Sequence, residues 1–220
     1  MTAPADLQKL LTWLSPAFPV GAFAWSAGLE SAIAGGTVHD RDTTGQWVGS
    51  VLTHGSLRAD AILLAHAHRA CRDPDALREL SDLCLALTPA RERHEETTIT
   101  GAAFATALKA WPTSVLAHLP QPCPYPIAVG ALAAGHATDL HSTLLSYLTA
   151  TVHSQVSVAV RLVPIGQSDG LAIMAALEAD IAAMADLCQH AALDDIGAVA
   201  YAADIAQMAH ETLTTRIFRS

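Results

Sequence analysis

The sequence predicts an all-α fold, a single-domain bundle of roughly eight to ten helices. Three observations carry this reading. The chain is 51% hydrophobic but only 5% aromatic, and alanine, the strongest helix former, supplies much of the difference. Apolar residues recur at helical spacing, most clearly at Leu140, Leu144, Leu148, Val152, Val156, Ala159 and Val163. No run alternates convincingly with the strand period of two. At 220 residues the chain is long enough for a sizeable core, and one domain over 1–220 is the expected organisation.

The elements follow in order. Residues 6 to 14 read as a short helix stopped at Ser15-Pro16. A second helix is expected from Gly21 to Ile33, ended by Gly35-Gly36. Asp40 or Asp42 caps a third, which carries Trp47, Val51, Leu52, Ile62 and Leu63. Asp73-Pro74 opens a helix to about Leu87, because proline suits the first helical position. Thr88-Pro89 repeats that signal and starts a helix to about Leu108. Pro112, Pro120, Pro122, Pro124 and Pro126 then break the chain. The flanking helices are too apolar to stand apart, so this stretch reads as a loop within one domain.

Beyond it, Ile127 to Ala137 is small and apolar. The long stripe from Leu140 follows and ends at Pro164. Ser168 or Asp169 caps the next helix, with a stripe of Leu171, Met174, Leu177, Ile181, Met184 and Leu187. A weaker last helix is expected from Asp194 to Thr214, with Thr215 to Ser220 as a tail.

Charge narrows the function classes. The net charge is −9, which argues against a surface for nucleic acid or anionic lipid. Cys71, Cys84, Cys123 and Cys188 lack CxxC spacing and read as reduced thiols in a cytoplasmic protein. Leu140 to Val160 carries no Asp, Glu, Lys or Arg and could span a bilayer by length, but its Ser, Thr, His and Gln residues favour a central buried helix. The N-terminal apolar stretch is interrupted by Pro16 and Pro19, unlike a signal peptide.

No catalytic constellation emerges, and the chain is not expected to be an enzyme. His66 and His68 are two apart and point to different helix faces; Cys188 and His190 repeat the mismatch. His210-Glu211 runs on to Thr214 where HExxH needs histidine. No metal site is therefore expected within the chain. There is no GxSxG elbow. Gly166 to Gly170 lacks the lysine and length of a phosphate loop and reads as a turn with an N-cap. Arg91 to Glu96 opens a helix and reads as a solvated charged face.

The most informative segment is Ser15 to Glu30, Ser-Pro-Ala-Phe-Pro-Val-Gly-Ala-Phe-Ala-Trp-Ser-Ala-Gly-Leu-Glu. Its prolines stiffen an extended run, its glycines permit close approach, and Phe18, Phe23 and Trp25 offer bulk, so it reads as a packing or docking element. Two further blocks accompany it. One is Gln155 to Gly170, with Arg161-Leu162-Val163-Pro164 and Gly166-Gln-Ser-Asp-Gly170. The other is Asp204-Ile205, Met208, His210-Glu211 and the ending Arg216-Ile217-Phe218-Arg219-Ser220.

These three blocks, in this order, resemble the UreF family of urease accessory proteins. The resemblance implies a helical homodimer without cofactor. It implies a chaperone that bridges UreD (UreH in some organisms) and the GTPase UreG, and through that complex promotes GTP-dependent nickel insertion into apo-urease. The alternative is a metallochaperone that binds nickel itself. Carried onto this chain, the candidate partner-binding residues are Phe18, Gly21, Phe23, Trp25, Ser26 and Glu30, with His210, Glu211, Arg216 and Phe218. Trp25 stands where relatives often have tyrosine or histidine, and His94 where an arginine is frequent. The N-terminal segment 1–20 and the tail 215–220 are candidates for ordering on partner binding. Deleting Arg216 to Ser220 is expected to weaken partner binding while leaving helicity and thermal stability nearly intact.

Overall fold

The computed structural model describes residues 3–197 and 199–220. Within them the chain forms ten α-helices: α1 Pro4–Trp13, α2 Leu29–Ala34, α3 Arg41–His54, α4 Ser56–Arg69, α5 Pro74–Ala86, α6 Arg91–Ala107, α7 Tyr125–Gly135, α8 Leu140–Leu162, α9 Gln167–His190 and α10 Tyr201–His210. Short 3-10 turns at Ala22–Ala24, Leu108–Ala110, Ser114–His118 and Leu193–Asp195 connect them, and no strand occurs among the described residues. The expected all-α bundle is what forms.

Start signals act as their chemistry requires. Asp40 accepts the Thr43 N–H at 2.8 Å, and the Thr43 hydroxyl receives the Asp40 N–H at 3.1 Å, closing a capping box. Asp73 accepts from the N–H groups of Asp75 and Ala76 ahead of α5. Asp139 does the same for Ser142 at the start of α8.

The core forms around α4 and α7. Leu57, Ala61, Ile62, Leu63, Leu64 and Ala65 of α4 are all buried, as is α7 from Pro126 to Ala133. A Cβ at Gly130 would collide with the carbonyl of Leu64, so these two helices touch backbone to backbone. Helix α8 packs on α9 and α4, and α10 lies across α2. Helix α8, without Asp, Glu, Lys or Arg from Leu140 to Val160, packs its apolar stripe into the core, and its one arginine, Arg161, lies exposed in the last turn. Three of its hydroxyls are satisfied along its own backbone: Ser146, Thr149 and Thr151 each donate to the carbonyl four residues back. Among the described residues no helix is long and apolar enough to cross a membrane.

An aromatic ladder runs beneath the N-terminal segment. Phe18 meets Phe104 at 5.6 Å, Phe104 meets Tyr125 at 5.6 Å, and Tyr125 meets Tyr147 at 5.6 Å between ring centroids. The proline-rich stretch is tied to the bundle. The Thr113 hydroxyl donates to Gly135, and His136 Nε2 lies 3.1 Å from the Trp111 carbonyl.

Several expected elements differ. The helix expected over Gly21 to Ile33 is a 3-10 turn, an extended residue at Trp25 and the short α2. Gly21, Ala27 and Gly28 have φ of 74°, 52° and 81°, outside any right-handed helix. Gly28 is needed twice over, because a Cβ there would also lie 2.6 Å from the Gln207 nitrogen where α10 crosses. The single helix expected after Asp40 breaks at Gly55 into α3 and α4. Helix α6 starts at Arg91, two residues past Pro89.

Neither Ser168 nor Asp169 is the N-cap of α9. That position is Gly166, and Asp169 reaches back to accept its N–H at 3.1 Å. Leu171 and Leu187 of the expected stripe are exposed, and Ile173 and Cys188 are buried instead. The last helix is shorter than expected. Asp194 lies in a 3-10 turn, α10 begins at Tyr201, and Ala198 falls outside the described residues.

Candidate functional site

The tail returns to the Ser15–Glu30 motif and pairs with it. Arg219 donates its N–H to the Ala24 carbonyl at 2.9 Å, and Ser26 donates its N–H to the Ser220 carbonyl at 2.8 Å. The Ser26 hydroxyl donates to the same carbonyl. The Arg219 guanidinium lies 4.4 Å from the centre of the buried Trp25 ring, a cation–π contact. Phe218 and Ser220 are buried.

Beneath this pairing lies a closed network of charge. Glu30 accepts the backbone N–H groups of Ile217 at 2.7 Å and Phe218 at 2.9 Å. His210, with no side-chain exposure, sits between two carboxylates: Nε2 is 3.1 Å from Glu30 and Nδ1 is 2.7 Å from Glu92. The other Glu92 oxygen accepts from Arg216 at 2.6 Å. A neutral imidazole has one N–H and can serve only one of the two carboxylates. A doubly protonated ring would donate to both, and would set two cationic side chains against the carboxylates of Glu30 and Glu92. Burial would raise the Glu30 carboxyl, but the Ile217 N–H, His210 and the Phe218 N–H outweigh it and hold Glu30 below its usual value.

A second buried cluster adjoins the first. Arg93 donates to Asp60 at 2.8 Å and pairs with Glu96 at 3.2 Å, and the Tyr147 hydroxyl donates to Asp60 at 3.2 Å. Burial pushes the Asp60 carboxyl up against the opposing pull of Arg93 and Tyr147. The Ser220 hydroxyl donates to Glu96 at 3.3 Å and joins the two clusters. Glu211 stands at the edge, accepting the Arg91 N–H at 2.9 Å at the start of α6.

The residues singled out in the sequence therefore separate into three groups. Trp25, Ser26, Glu30, His210, Arg216 and Phe218 meet in one network. Phe18 is buried in the aromatic ladder, and Gly21 turns the chain with positive φ. Phe23 is 68% exposed and faces outward. Glu92, Arg93 and Glu96 went unseen. The run Arg91–Glu96, expected as a solvated face, turns half inward, with Glu92 buried and Arg93 nearly so. The signal was their spacing: Glu92 and Glu96 share a face with Thr100, one turn further on. Asp60 and Arg219 were also passed over.

Two histidines outside this network act as staples. His66 Nε2 lies 3.1 Å from the Ala191 carbonyl, and His68 Nε2 lies 2.9 Å from that of Thr138. Burial raises the Cys84 thiol, pushes Cys123 up to about 12 and takes Cys188 up to about 11, so all three stay protonated near neutral pH.

The family model UreF matches residues 38–178. Urease accessory protein UreF of Agrobacterium fabrum is 49% identical over 98% of this chain and 97% of its own length. The protein of the same name from Rhizobium etli is 45% identical over the full length of both. The chain belongs to the UreF family. The region matched by the UreF model runs from just before α3 into α9 and holds Asp60, Glu92, Arg93 and Glu96. The Ser15–Glu30 motif and the tail lie outside that region, but the full-length relatives cover both.

Proposed function

We propose that this chain is a urease accessory protein that works as a bridge, with no chemistry of its own. It holds UreD (UreH) and the GTPase UreG in one complex, as a homodimer in the cytoplasm, and through that complex promotes GTP-dependent nickel insertion into apo-urease. Nickel is the cargo of the assembly. The observation that carries the reading is UreF membership along the whole chain.

The site's construction supports it. The buried carboxylates and imidazole and the partly exposed Arg216 guanidinium satisfy one another, so the network acts as a fastener. It holds Phe23, Ile217, Tyr201 and Ile205 on the outside, and each is at least 60% exposed. Large exposed apolar residues beside a rigid polar scaffold suit protein docking. Phe23, Trp25 and the tail residues Arg216 and Phe218 are accordingly read as partner contacts or as the frame that presents them.

The test is light scattering on a sizing column, with the chain mixed with UreD and UreG. A complex of defined mass containing all three is expected. A chain that elutes alone, with GTP and nickel present, overturns the bridge. Stoichiometric nickel uptake by the isolated chain in calorimetry would instead favour direct metal carriage.

A further inference from the structure

A cavity of about 350 Å³ opens between the N-terminal segment, α6 and α8. Phe18, Tyr125 and Val158 wall it, and Phe23, His153 and Arg161 stand at its edge. Its volume lies at the lower end of the range of about 300–1,000 Å³ usual for ligand pockets. That is room for one or two large side chains.

Two features of the rim identify the occupant. Arg161 is exposed and pairs with no carboxylate among the described residues; its only close partner is the Phe218 ring, 5.9 Å away. Arg41, Arg78, Arg91, Arg93 and Arg216 face a carboxylate, whereas Arg58, Arg69, Arg72, Arg161 and Arg219 do not among the described residues; of these five, Arg161 is the one that lines the cavity. The cavity is mostly apolar, with the paired Arg93 and Glu96 also in its lining, and the Arg161 guanidinium, which no carboxylate faces, suits an incoming carboxylate. The second feature is Phe23, 68% exposed at the mouth. A small molecule inside the cavity would leave that ring in water. A protein segment crossing the mouth would cover it.

We propose that this cavity seats an apolar side chain carried on an acidic segment of a partner protein. The apolar side chain lies between Phe18, Tyr125 and Val158, and a neighbouring carboxylate pairs with Arg161. The proposal rests on the bridging reading, since the partner is a member of the same accessory complex.

Two substitutions test it. Arg161→Glu reverses the rim charge at an exposed position. Ser157→Trp places a large ring in the cavity it lines. Affinities for UreD and for UreG are measured separately by calorimetry at low and high salt, with thermal melting and the hydrogen-exchange protection of the Phe218 amide as folding controls. Both variants are expected to bind one of the two partners at least tenfold more weakly, with Phe218 protection unchanged. Wild-type affinity for that partner should fall with salt. If Ser157→Trp fails to fold, Arg161→Glu decides alone.

Unchanged affinity for both partners overturns the cavity proposal and leaves the bridge standing. A wild-type chain that binds neither partner overturns the bridge itself. If the variants instead lose only self-association, the occupant is a second copy of this chain, and the proposal of a different partner is wrong.

Discussion

The carboxylate of Glu30 accepts the backbone N–H of Phe218 at 2.9 Å, across 188 positions of sequence. Both groups are buried. Glu30 is thus bound to the tail through its backbone, and any residue but proline at 217 and 218 could supply these two N–H groups. Sequence specificity at the fastener lies in Arg216, which alone of the tail residues brings a charge to Glu92.

Replacing Glu30 should release the tail. Glu30→Ala removes the acceptor for two backbone N–H groups and leaves His210 with one carboxylate. Breaking a buried pair from one side costs about 3–5 kcal/mol, a Tm loss on the order of 10 °C for a chain of this size. Thermal melting measures it, and the Phe218 amide should lose its exchange protection in the same variant. Full protection in Glu30→Ala would count against the bond.

His210 should prove as sensitive. His210→Ala leaves Glu30 and Glu92 facing each other in a dry site without the donor between them. A loss of about 3–5 kcal/mol is expected. His210→Gln keeps hydrogen-bonding capacity but no charge, and should fall between wild type and alanine. Equal stability of the glutamine variant and wild type would show that the imidazolium is not needed.

Deleting residues 216 to 220 should lower the Tm while leaving the helical circular dichroism nearly unchanged, since no α-helix includes those residues. From sequence alone thermal stability is expected to be nearly intact. The structure alters that, because the deletion strips Glu30 of two donors and Glu92 of Arg216. Partner binding should fall with it. An unchanged Tm together with unchanged partner affinity would contradict the role given to the tail.

Acid should open the same fastener. Glu30 is held below its ordinary value of 4.5. Its contribution is therefore complete above that value and is lost as pH falls through the depressed folded value. Asp60, raised by burial, has the opposite sign, its contribution growing as pH falls through its raised value. The Tm gap between wild type and Glu30→Gln should close below pH 4.5. A gap that does not narrow at all as pH falls below 4.5 would mean that Glu30 is not the group responsible.

Gly28→Ala should be costly for a different reason. The added Cβ meets the Gln207 backbone at 2.6 Å and forces positive φ on a residue that disfavours it. A loss of about 2–4 kcal/mol is expected from the combined overpacking and strain, read by thermal melting. Gly36→Ala, also at positive φ but in open space, should cost less. The reverse order would refute the α2–α10 contact as the cause.

The sequence showed the bundle clearly where one physical signal dominated. The stripe of α8 and the caps at Asp40 and Asp73 are local, and local chemistry decided them. It failed where a tertiary contact overrode local preference. Gly21, Ala27 and Gly28 break a plausible helix because the tail and α10 must come close. Leu171 and Leu187 sit at helical spacing yet face outward, since α9 is turned so that Ile173 and Cys188 meet its neighbours.

The candidate site was half legible. Ser26, Glu30, His210, Arg216 and Phe218 stand out as motif residues. The i, i+4 spacing of Glu92, Glu96 and Thr100 puts them on one face, but spacing alone does not say that this face turns inward, because a charged run at a helix start has the same pattern on a solvated face. Only the partners Asp60, His210 and Arg216, distant in sequence, make their burial tolerable.

The pairing of the tail with the Ser15–Glu30 motif also bears on when the motif is completed. During synthesis the motif leaves the ribosome early and residues 216 to 220 follow every helix of the bundle. Until they arrive, Glu30 has neither N–H donor from the tail, and the Trp25 ring lacks its Arg219 cover. A nascent or prematurely terminated chain therefore carries the helices without the finished contact face. A chain that stops short of the tail also leaves Glu92 without Arg216.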